Sequence, residues 1–246
     1  MPRRYGQHFL RDEAILRRIV DASGVGPEDF VLEIGPGEGL LTRILAEKAK
    51  KVLAVEIDRH LFENLQKADL PANVEVRQGN ALEISIEEPF KIVSNLPYEI
   101  TTATLQKFLL SSHKPATITL LIQKEVAERI VGKNGASRLT LFCGYHALPK
   151  LLFTVPRGAF SPPPKVESAV IHLEVRQNSL LDPVSEEQFF RLTNAAFAEK
   201  RKTLANSLKS ILGVDVAEKL KKANLDPKSR PEEISLEQWI FLAQSV

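Results

Sequence analysis

Three short clusters combine residue types and spacing that suit one small ligand. The first is Glu33-Ile34-Gly35-Pro36-Gly37-Glu38-Gly39. Glycines at alternate positions let the backbone turn sharply and approach a ligand closely. The spacing is G-x-G-x-G, not the G-x-G-x-x-G of most pyrophosphate-binding turns, and no phosphate-binding Lys accompanies it. The second cluster, Val55-Glu56-Ile57-Asp58, places an acid where a ribose hydroxyl would be accepted. The third, Gly79-Asn80-Ala81-Leu82, offers a polar side chain able to read the exocyclic amine of an adenine. A ligand with ribose and adenine but no phosphates fits all three. S-adenosylmethionine (SAM) is such a ligand.

A fourth cluster, Asn95-Leu96-Pro97-Tyr98, suits an amine on a planar ring. The Asn95 carbonyl can accept from an amino group. Pro97 has no N–H and stiffens the chain, so nearby carbonyls can point at a substrate. Tyr98 presents a flat face on which a base can stack. An adenine N6 is a poor nucleophile because its lone pair is delocalised into the ring. Two acceptors that hold its hydrogens out of plane would localise that pair towards a methyl sulfonium. Further on, Phe160-Ser161-Pro162-Pro163-Pro164-Lys165 joins an aromatic, a stiff polyproline stretch and a cation. Phe160 is expected to close the other face of the base and Lys165 to meet a phosphate. A rigid linker would read the same on composition alone.

Those clusters must be held by regular elements. Phe30–Ile34 reads as a buried strand, followed by the turn and a helical stretch over 40–49. Strands are expected at 52–57, 74–77, 91–94 and 117–122, with helices at about 59–67, 101–110 and 123–131. This β-then-α rhythm implies a mostly parallel sheet with helices on both faces. All four clusters then fall at carboxyl ends of strands, where open α/β sheets bind ligands. Residues 142–148, 151–155 and 168–175 read as strands with short Pro-rich connections, and so as an antiparallel edge. After Asp182-Pro183 the strand signals stop, and Phe189, Phe190, Leu192 and Phe197 recur with helical spacing. The expected division is a Rossmann-like domain over 1–180 and a small all-helical domain over 181–246, with Trp239 in its core.

Composition narrows the class. With 43% hydrophobic and 26% charged residues over 246 positions, the chain is neither disordered, collagenous nor coiled-coil. No apolar run approaches the ~18 residues of a membrane span, and Met1–Gln7 lacks the apolar core of a signal peptide. The single Cys143 cannot pair internally, so a cytoplasmic location is expected. The five histidines include no close pair, so no metal site is expected. The net charge of +2 is unevenly spread. Residues 1–20 carry five arginines against two carboxylates, and residues 195–230 carry nine Lys or Arg against four. Basic ends suit a polyanion groove, with Arg3, Arg4, Lys200, Arg201 and Lys202 as phosphate contacts. Two solvated helix faces would give the same charge pattern.

Taken together, the motifs resemble the ribosomal RNA adenine N6,N6-dimethyltransferase family, most closely its bacterial small-subunit (16S) members. The matching segments are 6–10, 33–42, 55–58, 95–101, 123–129 and 160–170, extended by Phe197 and residues 200–208. The resemblance implies SAM as cofactor, and 16S rRNA in the small (30S) ribosomal subunit as partner. It implies a monomer that places two methyls on each of two adjacent adenosines near the RNA's 3′ end, with a role in subunit biogenesis. It also implies that His8 and Leu10 line the amino-acid end of the cofactor, with Gly35 and Gly37 at its back. Glu56 would hold the ribose, with Ile57 against the adenine and Asn80-Ala81 beside it. Asn95, Leu96, Pro97 and Tyr98 would hold the target base, capped by Phe160. The family commonly has Asp where this chain has Asn80, whose carbonyl can still accept from the adenine amine. Large-subunit (23S) dimethyltransferases share this chemistry, and a non-catalytic RNA-binding assembly protein could share the fold. Arg201-Lys202-Thr203-Leu204 favours the small-subunit enzyme.

Overall fold

Short apolar strands and side-chain-capped helices alternate through the first half of the chain. The structure is a computed structural model and describes residues 8–199 and 201–246. It begins with strand β1 (Phe9–Leu10), helix α1 (Glu13–Ala22), β2 (Phe30–Ile34), α2 (Leu40–Ala46) and β3 (Lys51–Glu56). Next come α3 (Arg59–Lys67), β4 (Val74–Gln78), β5 (Lys91–Asn95), α4 (Thr101–Leu109), β6 (Thr117–Gln123) and α5 (Lys124–Ile130). The middle of the chain adds α6 (Arg138–His146), β7 (Ala147–Val155), β8 (Phe160–Ser161) and β9 (Ser168–Val175). Helices α7 (Pro183–Ala196), α8 (Leu204–Leu212), α9 (Val216–Lys222) and α10 (Leu236–Ser245) complete it.

A seven-stranded sheet runs in the order β4-β3-β2-β5-β6-β9-β7. Its first five strands are parallel neighbours, and β9 lies antiparallel to β6. Parallel pairing demands long crossovers, which the helices supply. Asp12 caps α1 by accepting from the Ile15 N–H, and Asp58 caps α3 by accepting from those of His60 and Leu61. Such caps satisfy amides that the first helical turn leaves open. The fold is Rossmann-like with antiparallel strands at one edge. A separate ribbon pairs β1 with β8 antiparallel, Leu10 opposite Phe160.

The chain divides into two compact units. One holds the residues up to Ala127 together with Pro149–Val175; the other holds Glu128–Leu148 with Arg176–Val246. The second unit therefore takes a segment from well before the expected boundary at 180. The same segment corrects the strand expected over 142–148, because residues 138–146 form α6. Ser137 and Thr140 make a reciprocal capping box that starts this helix. Leu141 and Tyr145, four apart, then point one face into a core shared with Phe189, Leu192, Leu208 and Trp239. Helical spacing of large apolar side chains outweighs their β propensity here. Trp239 is fully buried, as expected. Among the described residues no helix is long and apolar enough to cross a membrane, and no His, Cys, Asp or Glu cluster could hold a metal ion.

Candidate active site

From β2 the chain adds β3 and β4 on one side, then returns to add β5 on the other. Open α/β sheets bind ligands outside the strand ends at such a reversal. A cavity of about 490 Å³ lies there, within the range of small-molecule sites.

Gly35, Gly37 and Gly39 all adopt left-handed backbone, with φ of 67°, 61° and 79°. A Cβ on Gly37 would stand 2.8 Å from the Phe9 ring, so β1 packs directly on the turn. The Gly37 N–H donates to Glu56 Oε2 at 3.1 Å, and the Asp58 N–H donates to Oε1 at 2.9 Å. Glu56 is only 3% exposed. Burial raises its pKa, and these amides pull it back towards the ionised form. Each oxygen keeps a lone pair for a hydroxyl donor.

Glu33 is more deeply buried, at 1% exposure, and also lines the cavity. Its Oε2 has no hydrogen-bond partner. Burial pushes its pKa up to about 8, and the charge of Glu56 adds to the shift. Thr42 opposes it, although its hydroxyl sits beside the carboxyl without meeting hydrogen-bond geometry. Near neutrality Glu33 is thus a protonated acid in the free protein, with one atom unsatisfied.

At the end of β4, the Asn80 carbonyl accepts from the Leu82 N–H at 3.0 Å, and its amide donates to Glu83 at 2.9 Å. The carbonyl caps a local turn and keeps a second lone pair, and Asn80 lines the cavity. At the end of β5, Ser94 Oγ accepts from the Ile34 N–H at 2.7 Å, stitching the strands that flank the reversal. Asn95, Leu96, Pro97 and Tyr98 follow, and all four line the cavity. The Tyr98 hydroxyl lies 2.7 Å from Ser168 Oγ, and burial raises its pKa. His8 faces Tyr98 with ring centroids 6.4 Å apart, and its Nδ1 lies 2.8 Å from the Pro162 carbonyl.

The structure thus brings together His8, Leu10, Gly35, Gly37, Glu56, Ile57, Asn80, Ala81 and Asn95–Tyr98 around one cavity. It does not bring Phe160 there. Phe160 is 4% exposed and packs with Leu10, Leu16, Val93, Leu121 and Val170. Its ring does not line the cavity; it packs in the core beside β1, opposite Leu10. Lys165 is exposed on the connection between β8 and β9. Arg201 is exposed with a left-handed φ of 78°, and exposed Lys202 pairs with Glu199 at 2.7 Å. Arg3, Arg4 and Lys200 lie outside the described residues. Sequence reasoning gave no role to Glu33, Phe9 or Ser168. For Glu33 a signal existed: an acid inside the otherwise apolar run Phe30–Ile34.

The charge of the cavity wall discriminates between ligands. Glu33, Glu38, Glu56 and Glu99 line it, and no Lys or Arg among the described residues does. Glu33 is protonated and Glu38 pairs with Arg11 at 2.7 Å, so Glu56 and Glu99 set the sign; such a wall repels phosphates and favours a cation. A family model described as ribosomal RNA adenine dimethylase matches residues 1–246. The chain belongs to this family. Among relatives of the dimethylase family, a ribosomal RNA small subunit methyltransferase A from Caldanaerobacter subterraneus is 41% identical, covering 99% of this chain and 96% of the relative. One of the same name from Dehalococcoides mccartyi is 40% identical, covering 95% and 84%. Among solved structures, a 23S rRNA methyltransferase, ErmE, superposes with a TM-score of 0.81 at 32% identity, covering 96% of this chain and 98% of that one. A dimethyladenosine transferase from Plasmodium falciparum gives 0.82 at 27%, covering 96% of each.

Proposed function

We propose that this protein transfers methyl groups from SAM to N6 of adenosine in ribosomal RNA. Its targets on this reading are two adjacent adenosines near the 3′ end of 16S rRNA, each dimethylated as part of small-subunit biogenesis. The observation that carries the reading is the wall of a cavity that also holds Asn95–Tyr98, acidic and without Lys or Arg among the described residues. Phosphate-bearing cofactors would meet the charges of Glu56 and Glu99 there, with Glu33 protonated and Glu38 paired with Arg11, whereas a sulfonium with an ammonium group meets opposite charge.

When bound, SAM supplies an electrophilic methyl on a cationic sulfur. The residues of the cavity supply position and charge. Glu56 accepts from the ribose hydroxyls, held in place by the Gly37 and Asp58 amides. Ile57 and Ala81 provide apolar walls for the adenine, and the spare lone pair of Asn80 reads its amine. Leu10 and His8 close the amino-acid end. On the other side of the methyl, the Asn95 carbonyl and a backbone carbonyl near Leu96 accept from the target N6, while Tyr98 stacks on the ring. No residue has to act as a strong base beforehand, because N6 becomes acidic only once it carries a new methyl. Positioning and electrostatics do the work. The second methyl is accepted with one N6–H left, so the pocket needs room where a hydrogen was. Arg3, Arg4, Lys165, Lys200, Arg201 and Lys202 are the proposed phosphate contacts.

Likeness to ErmE keeps a large-subunit target as the second reading. The names of the 40% identical relatives and the Arg201–Leu204 segment favour the small subunit. Purified small and large subunits incubated with labelled SAM, then digested to nucleosides, separate the readings. Dimethyladenosine from the small subunit is expected. Label in the large subunit selects the second reading, and RNA binding without label selects an assembly protein. Ribose- or cytosine-methylated products would overturn the assignment of Asn95–Tyr98.

A further inference from the structure

Tyr98 belongs to a tight turn that follows Pro97, and that turn is tied down at three points. The Thr101 hydroxyl donates to the Tyr98 carbonyl at 3.1 Å, and the Ile100 N–H donates to the Pro97 carbonyl at 3.2 Å. These bonds fix the backbone but leave the ring free to rotate about its side-chain bonds. The third tie fixes the ring: the phenol oxygen lies 2.7 Å from Ser168 Oγ. Ser168 opens β9 opposite Gln123 of β6, and its side chain is fully buried. Its position is therefore set by the sheet and not by solvent.

We propose that Ser168 is a positioning residue for the methyl transfer, fixing through the Tyr98 hydroxyl the plane on which the target adenine stacks. The proposal rests on the reading of Tyr98 as the stacking platform. Ser168 does not line the cavity, so it acts only through Tyr98. The same stretch of chain reaches the site a second time. A carbonyl can only accept, so the Pro162 carbonyl requires the proton on His8 Nδ1, which leaves Nε2 of a neutral His8 as an acceptor. The segment from β8 to β9 thus sets two rings of the site, although its own aromatic, Phe160, is buried in the core. Orientation matters most for the second methyl. After the first transfer the base keeps a single N6–H, so one hydrogen bond and the stacking plane must together hold it in line.

The test compares wild type, Ser168→Ala, Tyr98→Phe and the double variant on small subunits. Turnover, SAM affinity by calorimetry and the ratio of mono- to dimethyladenosine are measured for each. Tyr98→Phe removes the same bond from the other end and keeps the ring, so it serves if Ser168→Ala does not fold. Each single variant should lower kcat/KM for RNA about threefold to tenfold, the range of one neutral hydrogen bond. SAM affinity should stay within about twofold, product should shift towards monomethyladenosine, and the double variant should be no worse than either single one. Wild-type product ratios in both single variants would overturn the proposal. So would losses that multiply in the double variant, or a fall in SAM affinity matching the fall in turnover. If wild type itself makes no dimethyladenosine, the reading of the whole site falls, and the role of Ser168 with it.

Discussion

The two sides of the cavity are built by different means. Around the proposed ribose and adenine positions the ties are shorter in range: Gly37 and Asp58, 19 and 2 residues away, hold Glu56, and Asn80 caps its own turn. At the base, Tyr98 is held by Ser168, 70 residues away, and at the amino-acid end of the cofactor His8 is held by Pro162, 154 residues away. Locally built sites tolerate shifts elsewhere in the fold; sites assembled from distant segments depend on the whole sheet being in register. The ribose end should therefore fail through its own residues, and the base and the amino-acid end of the cofactor through residues that touch neither.

The largest effect should come from Glu56→Ala against Asn95→Ala. Removing the charged acceptor of two hydroxyls, at about 1.5–3 kcal/mol each, should weaken SAM binding a hundredfold or more. Asn95→Ala should cut turnover far more than SAM affinity, because its carbonyl acts chiefly on the nucleophile. Equal losses of SAM affinity in both would erase the distinction between the two sides. Phe160→Ala comes next. Emptying a buried phenylalanine site should destabilise the protein by about 3–5 kcal/mol. It should also weaken SAM binding, since β1 loses its anchor; a folded variant that binds SAM normally but fails on RNA would restore Phe160 as a base cap.

Glu33→Gln should give a smaller, pH-dependent effect. In the unfolded chain Glu33 titrates near its ordinary value of 4.5, and in the folded protein near 8. Between those values the folded state holds the extra proton, so wild-type stability falls as pH rises through that window and levels off above it. The substituted amide stays neutral at every pH, so melting curves should show the variant gaining on wild type from pH 5 to 8, by a few kcal/mol at most. Parallel curves would mean that Glu33 is ionised throughout. The smallest effect is expected on the surface. Neutralising Arg201 and Lys202 should weaken RNA binding modestly and flatten its salt dependence, with SAM binding intact. An unchanged salt slope would leave them as solvated surface charges.

What could be read in the sequence follows the same division. That the glycine turn, Glu56 and Asn95–Tyr98 meet at one cavity was legible because each is a short segment at a strand end of the same sheet. The burial of Phe160 was not legible, because an aromatic beside a polyproline stretch looks the same whether its ring faces solvent or core; its pairing opposite Leu10 places it in the core. Residues 142–148 read as a strand because Phe142 and Tyr145 carry β propensity, while the Ser137 capping box lies upstream of that window. Ser168 carried no signal at all, since a serine at the start of a strand is ordinary until its partner, 70 residues away, is known.

The β1–β8 ribbon bears on how the protein is made. His8 and Pro162 are 154 residues apart, and bringing chain ends together over that distance costs about 4–5 kcal/mol of loop-closure entropy. On the ribosome, the strand carrying His8, Phe9 and Leu10 waits for its partner until most of the chain has been synthesised. Contacts of such long range form late in folding. The proposed cofactor site then closes only after synthesis has passed residue 162, and a chain terminated before residue 160 lacks both β8 and the sheet strand β9.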